Sequence, residues 1–176
     1  MRYGRFLTAL TLPLAFAAVP AQAVDTISEG GFEFTLAGQG SSNEDVDAGS
    51  FSGEASIAAL LGPNFSIGAR QNITYNDANA GTVLNGSTRV FTDFQFNLGR
   101  VAPFVGANFG YVYGDTVNET FAIGPEAGLK IYLGETSDVF LFGRVEYQFF
   151  FDEGDAVGDV FEDGQLLYTI GLGLRF

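Results

Sequence analysis

Apolar and polar residues alternate along this chain with a period of two, in runs of roughly ten residues, which is the signature of strands with one greasy face. The segment 165–176 shows it most clearly, with Leu166, Tyr168, Ile170, Leu172, Leu174 and Phe176 on one face and Thr169, Gly171, Gly173 and Arg175 on the other. In 65–75, Phe65, Ile67, Ala69, Ile73 and Tyr75 oppose Ser66, Gly68, Arg70, Asn72 and Thr74. In 120–133, Phe121, Ile123, Ala127, Leu129 and Ile131 oppose Glu126, Lys130 and Tyr132. In 139–151, Val139, Leu141, Val145, Tyr147 and Phe149 oppose Arg144, Glu146 and Gln148. Further runs fall at 31–40, 50–61, 87–98 and 101–113, the last being less clean because Phe104 and Val112 sit on its polar side.

Eight runs of this length match strands that cross a bilayer at a tilt, and no segment after the leader holds 18 unbroken apolar residues for a spanning helix. The pattern predicts an all-β, eight-stranded antiparallel up-and-down transmembrane β-barrel. Connectors 41–49, 76–86, 114–119 and 152–164 are long or acidic, whereas 62–64, 99–100 and 134–138 are mostly tight. Long external loops and short periplasmic turns then place both ends of the barrel in the periplasm. Pro125 falls inside the sixth strand and predicts a bulge near Gly124. Gln71 and Thr92 are polar on a face that should meet lipid.

Charge sorts by parity. Glu33, Glu54, Asp93, Glu126 and Glu146, with Arg70, Arg89, Lys130, Arg144 and Arg175, all fall on lumen-facing positions, five of each sign. An eight-stranded barrel is just wide enough for side chains to fill, and buried ions need partners. The register suggests Arg70 with Asp93 or Glu54, Arg144 with Glu126, and Arg175 with Glu33 across the closing seam. Most remaining acidic residues fall in the external connectors, among them Glu44, Asp45, Asp47, Asp77, Asp115, Glu119, Asp152, Glu153, Asp155, Asp159, Glu162 and Asp163. They form a solvated, self-repelling surface or a weak site for divalent cations. Asp152-Glu-Gly-Asp155 lacks the spacing of an EF-hand loop, so no metal site is assigned. Tyr75, Tyr111, Tyr113 and Tyr147 near the loops, and Phe65, Tyr132 and Phe176 at the other end, are expected in aromatic girdles.

The first 23 residues read as a cleaved secretory leader: Arg2 and Arg5, an apolar stretch from Phe6 to Val19, and Pro20-Ala-Gln-Ala23 as the cleavage site. Residues 24–176 form one domain. Eight Lys and Arg against 21 Asp and Glu give a net charge of −13, which argues against nucleic acid as a partner. Nothing can be cross-linked, because there is no cysteine. Histidine is absent too, which removes the usual general base of acyl-transfer and proteolytic chemistry. Ser41 and Ser42 have no loop lysine to activate them, and no carboxylate pair has a defined spacing. No enzymatic activity and no cofactor are expected.

The leader, the eight alternating segments and the ending Tyr168-x-Ile170-x-Leu172-x-Leu174-x-Phe176 resemble the small outer-membrane β-barrels of the OmpA/OmpX type, also described as outer-membrane β-barrel domain or porin-family proteins. The resemblance implies that those five residues are the assembly signal read by the barrel-assembly machinery of Gram-negative bacteria. It also implies residence among outer-membrane lipid and lipopolysaccharide. The sequence stops at Phe176 without a peptidoglycan-binding domain, so a cell-wall tether is not expected. The functional expectation is a structural or surface-interaction barrel, serving membrane integrity or adhesion, with a filled lumen. A small passive pore and a soluble, lipocalin-like ligand binder are the alternatives.

Overall fold

A computed structural model describes residues 30–42, 49–78, 81–117, 119–133, 139–151 and 164–176. The leader lies outside the described residues, as do most of the acidic connector residues and Phe161. Every described element is a strand: β1 (Phe32–Ser42), β2 (Gly49–Leu60), β3 (Phe65–Ala78), β4 (Gly81–Gln95), β5 (Val101–Gly114), β6 (Thr120–Tyr132), β7 (Val139–Phe150) and β8 (Gln165–Arg175). Each pairs antiparallel with the next, and β8 returns to β1, which closes an up-and-down barrel.

The boundaries depart from the alternation at the β3–β4 hairpin. In the expected long connector 76–86, residues 76–78 and 81–86 are instead strand, paired as far as Ala78↔Gly81. The added part of β4 is tied to the next loop: Leu84 N donates to Asp115 Oδ2 at 2.9 Å, and Asn85 Nδ2 to Thr116 Oγ1 at 2.8 Å. At its other end β4 stops at Gln95 rather than Leu98. The chain there turns through Gly99, whose φ of 77° lies in the left-handed region that a tight two-residue hairpin needs. Asn64 Nδ2 donates to Gln95 O at 2.7 Å and Asn97 Nδ2 to Pro63 O at 2.6 Å, lashing the first two turns of that end together.

No bulge forms at Pro125. The β6–β7 ladder runs to Ile123↔Phe149, skips two positions, and resumes at Glu126↔Glu146 in the same register. Pro125 has no N–H to give, and the ladder opens rather than slips. On the outer face, Gln71 and Thr92 are satisfied locally. Thr88 Oγ1 donates to Gln71 Oε1 and Gln71 Nε2 to Tyr113 Oη, both at 2.7 Å, and Thr92 Oγ1 donates to Ser66 O at 3.2 Å. A polar group that meets lipid with its hydrogen bonds already made loses most of its transfer penalty.

The barrel is apolar outside and charged inside. Large apolar side chains around the whole circumference, from Phe32, Ile57 and Ile73 through Val90, Phe109 and Ile123 to Leu141 and Leu172, are exposed, while the alternate residues are buried most fully on β6 and β7 and only half-buried along much of β8.

Candidate functional site

Among the described residues, the lumen is the one place where chemistry-bearing side chains converge. Nine of the ten charged residues assigned to it are buried, and Arg175 at the barrel end is partly so. They form two groups. In the middle, Arg70, Arg89 and Arg144 meet Glu54, Glu126 and Glu146. Nearer the chain ends, Lys130 and Arg175 share Glu33, Lys130 Nζ at 2.5 Å from its Oε2 and Arg175 Nε at 3.1 Å from its Oε1.

Backbone register sets up the central group in an unfavourable way that the lumen then resolves. Arg70 and Arg89 are directly opposite on β3 and β4, and Glu126 and Glu146 directly opposite on β6 and β7. Like charges so placed repel. The two pairs stand on facing walls and interlock. Arg70 grips Glu126 with two bonds of 3.0 Å, a bidentate fork, and reaches Glu146 at 3.2 Å. Arg89 bonds Glu146 and lies 3.4 Å from Glu54. Arg144 takes both Glu54 oxygens, at 2.7 and 2.8 Å, and approaches Glu146 at 3.4 Å. Asn108 and Gln148 add donors to Glu126 and Glu146, each at 2.7 Å.

Two of the partners suggested by neighbouring strands are therefore not taken. Arg144 bonds Glu54 and Glu146, not Glu126. Arg70 is 3.6 Å from Glu54 but forms no ion pair with Asp93. Long guanidinium side chains in a narrow barrel reach the far wall, so partners are chosen across the lumen rather than along the sheet. Asp93 is buried without an ion pair among the described residues, and its Oδ1 has no hydrogen-bond partner. Arg175 does meet Glu33, its direct opposite across the seam.

A second lumen feature showed in the alternation only at Phe104, the aromatic on the polar side of its run. Phe91, Phe104, Phe140 and Phe142 point inward and are buried, and each stands directly opposite a glycine: Gly68, Gly128, Gly173 and Gly171. A Cβ on any of these glycines would collide with the facing ring, as at Gly68, where Phe91 Cζ would lie 2.6 Å away. The rings carry the cations above them. Arg70 lies 4.4 Å from the Phe91 centroid, Lys130 about 5.5 Å from Phe104 and 5.4 Å from Phe140, and Arg144 5.9 Å from Phe142. Tyr132, grouped by parity with Glu126 and Lys130, is inside as well and not in the girdle; it packs on Phe140 at 5.4 Å and accepts from Arg175 Nη2 at 2.5 Å. Glycines on the charged parity of β3, β6 and β8 were the available signal for these rings.

The positions expected to form the assembly signal, Tyr168, Ile170, Leu172, Leu174 and Phe176, all lie exposed on the outer face of β8 and just beyond it. Phe176 pairs its backbone with Phe32 and stacks on that ring at 6.2 Å. Near the loops, Phe109, Tyr111, Tyr113 and Phe121 form a run of ring contacts between 5.0 and 6.4 Å. Among the described residues no carboxylate cluster is arranged to hold a metal ion. Of the two described loop acids, Asp115 bonds Leu84 N and Glu119 accepts from Tyr111 Oη at 2.8 Å.

Structure comparison finds close architectural relatives. OprG of Pseudomonas aeruginosa matches with a TM-score of 0.56 at 11% identity, over 84% of this chain and 96% of its own. The N-terminal β-barrel domain of OprF from the same organism gives 0.55 at 14%, over 84% and 98%. Ail of Yersinia pestis, solved in a phospholipid bilayer nanodisc, gives 0.53 at 13%, over 85% and 100%. The fold is that of the small outer-membrane β-barrels of the OmpA/OmpX type. No protein-family model and no curated protein matches the sequence. At such identities the shared property is the barrel itself, and residue roles must come from this chain's own lumen and surface.

Proposed function

We propose that this chain is an integral outer-membrane barrel with a structural or surface-interaction role, such as membrane integrity or adhesion, whose lumen is closed by its own side chains. The observation that carries this reading is the inversion of the barrel: ion pairs fill the inside while large apolar side chains cover the outside on every strand. Water would reverse that order, as a soluble lipocalin-type barrel does, whereas lipid favours it. The outer-membrane barrels it resembles in fold support the location.

A closed lumen is favoured over a passive pore by two stacked barriers: the cross-braced Arg and Glu of the middle, and the buried layer of Ala102, Tyr132, Phe140 and Phe142 beneath it. The segment Tyr168 to Phe176 serves as the assembly signal, presented to the barrel-assembly machinery before closure. Outer-membrane lipid and lipopolysaccharide are its surroundings, and divalent cations at the acidic loops are a further partner. Extraction only by detergent, with heat-modifiable gel migration, tests membrane residence. Planar-bilayer recording tests the plug: discrete conductance steps from pure protein would replace the closed barrel with a pore.

A further inference from the structure

One stretch of the barrel wall is unpaired. The β1–β8 ladder runs from Glu33↔Arg175 to Ala37↔Gly171. Continued in the same register it would join Gly38 to Ile170, and both strands extend further, to Ser42 and back to Gln165. No such pairs form among the described residues, although every other seam is paired at nine or more positions.

The gap opens onto a cavity of about 580 Å³ in the loop-side half of the lumen. Its lining includes Tyr168 and Ile170, which stand on the outer parity of β8 and are 70% and 78% exposed. Gly86, on outer parity in a fully paired part of the wall, lines the cavity as well, so the opening rests on the missing β1–β8 pairs and on the exposure of the inward β8 residues. Gly38, on the other lip, has no side chain to narrow the slot. The inward residues of β8 from Gln165 to Gly171 are correspondingly half-exposed, whereas those of β7 from Phe140 to Gln148 are buried. The floor is closed, because Arg144 donates to Thr169 Oγ1 at 3.2 Å as well as to Glu54.

The lining defines the occupant. Ser52, Asn72, Thr74 and Gln148 offer hydroxyl and amide groups. The charges at the floor, Glu54 and Arg89, are already paired, with each other and with Arg144 and Glu146 respectively, so among the described residues no free ion greets a charged head. Through the slot the cavity meets the apolar outer belt, and its volume lies in the range of small-ligand sites. We propose that this half-lumen and its lateral slot bind a single-chain amphiphile with an uncharged, hydroxyl-rich head, of the monoacylglycerol kind. The head hydrogen-bonds in the cavity and the chain leaves past Tyr168 and Ile170 into the bilayer, so the inference rests on the membrane-spanning reading above.

The test uses the mature chain in phospholipid nanodiscs doped with a monoacylglycerol that carries a diazirine beside its ester. After irradiation, adducts mapped by tandem mass spectrometry are expected on the inward Leu167, Thr74 and Gln148, and excess unlabelled monoacylglycerol should compete them away. Because the chain has no cysteine, a Gly38→Cys/Ile170→Cys pair bridges the slot on oxidation without side reactions. Lumen adducts should then vanish and return on reduction. A Leu36→Cys/Leu172→Cys pair, across the part already paired, should leave them unchanged. Adducts confined to outward residues in the reduced protein, or lumen adducts that survive oxidation of the slot pair, overturn the proposal. If that pair does not fold, Gly38→Val narrows the same slot and must reduce the lumen adducts. Labelling of outward Ile57 and Leu141 reports bilayer insertion separately; without it, the membrane reading fails rather than the site.

Discussion

Replacing Glu146 by Gln should be among the most damaging conservative changes in this barrel. Glu146 is 1% exposed and holds three cations: Arg70 at 3.2 Å, Arg144 at 3.4 Å, and Arg89 in a direct bond. Two of these have somewhere else to go, since Arg70 keeps its fork on Glu126 and Arg144 keeps both oxygens of Glu54. Arg89 does not; it is left with one 3.4 Å contact to Glu54. Removing one partner of a buried pair strands a desolvated charge, at a cost of about 3–5 kcal/mol. With a urea dependence of about 1–3 kcal/mol/M, the unfolding midpoint should fall by roughly 1–5 M. The assay is urea titration of refolded protein in detergent, followed by heat-modifiable migration. Glu146→Met combined with Arg89→Met should be milder than the sum of the two single changes, because the stranded charge is gone. A midpoint shift for Glu146→Gln below about 0.5 M, or strict additivity of the double variant, would refute the cross-braced lumen.

Asp93→Asn should behave oppositely on the same titration, changing stability by less than about 1 kcal/mol or raising it, because this buried carboxylate has no ion pair to lose. Gly173→Val should destabilise by about 1–3 kcal/mol or more through collision with the Phe140 ring, and Phe140→Ala in the same chain should recover part of the loss. Arg175→Ala should lower stability by about 1–3 kcal/mol while leaving Glu33 its Lys130 partner. Phe176→Ser should instead cut the amount of folded barrel in the outer membrane of expressing cells while sparing the stability of refolded protein. Immunoblots of outer-membrane fractions beside urea titrations separate the two effects, and normal amounts of folded Phe176→Ser would deny the terminal residue its assembly role.

Much of the barrel was legible because period two has only two faces to choose from. Once Arg144, Glu146 and Gln148 share a side of β7, Leu141 and Val145 must take the other, and a one-residue slip would turn every side chain over. Ion-pair partners were not legible in the same way. Arg70 and Asp93 sit on adjacent strands, yet Arg70 extends to Glu126 on β6, because the lumen is narrower than the reach of a guanidinium. Of the inward phenylalanines Phe104 stood out on the polar side of β5, whereas Phe91, Phe140 and Phe142 did not, because an apolar residue among charges of its own parity carries no local sign of what it packs on. Phe140 shares parity with Arg144, and its true sign was the bare Gly173 opposite it. The β3–β4 hairpin ran past its expected end because Asn85 and Leu84 bond Thr116 and Asp115, contacts distant in sequence. The unpaired seam between β1 and β8 is a matter of closure, and no local pattern records it.

The inversion of the barrel can be measured directly on β7. The chain contains no tryptophan, so a single one introduced in turn at each position from 139 to 149 is the sole indole reporter in liposomes containing brominated lipid. Quenching should alternate strictly, strong at 139, 141, 145 and 149 and weak at 140, 142, 144 and 146. Quenching in the opposite phase, or none at any position, would mean that the apolar face of this barrel does not meet lipid.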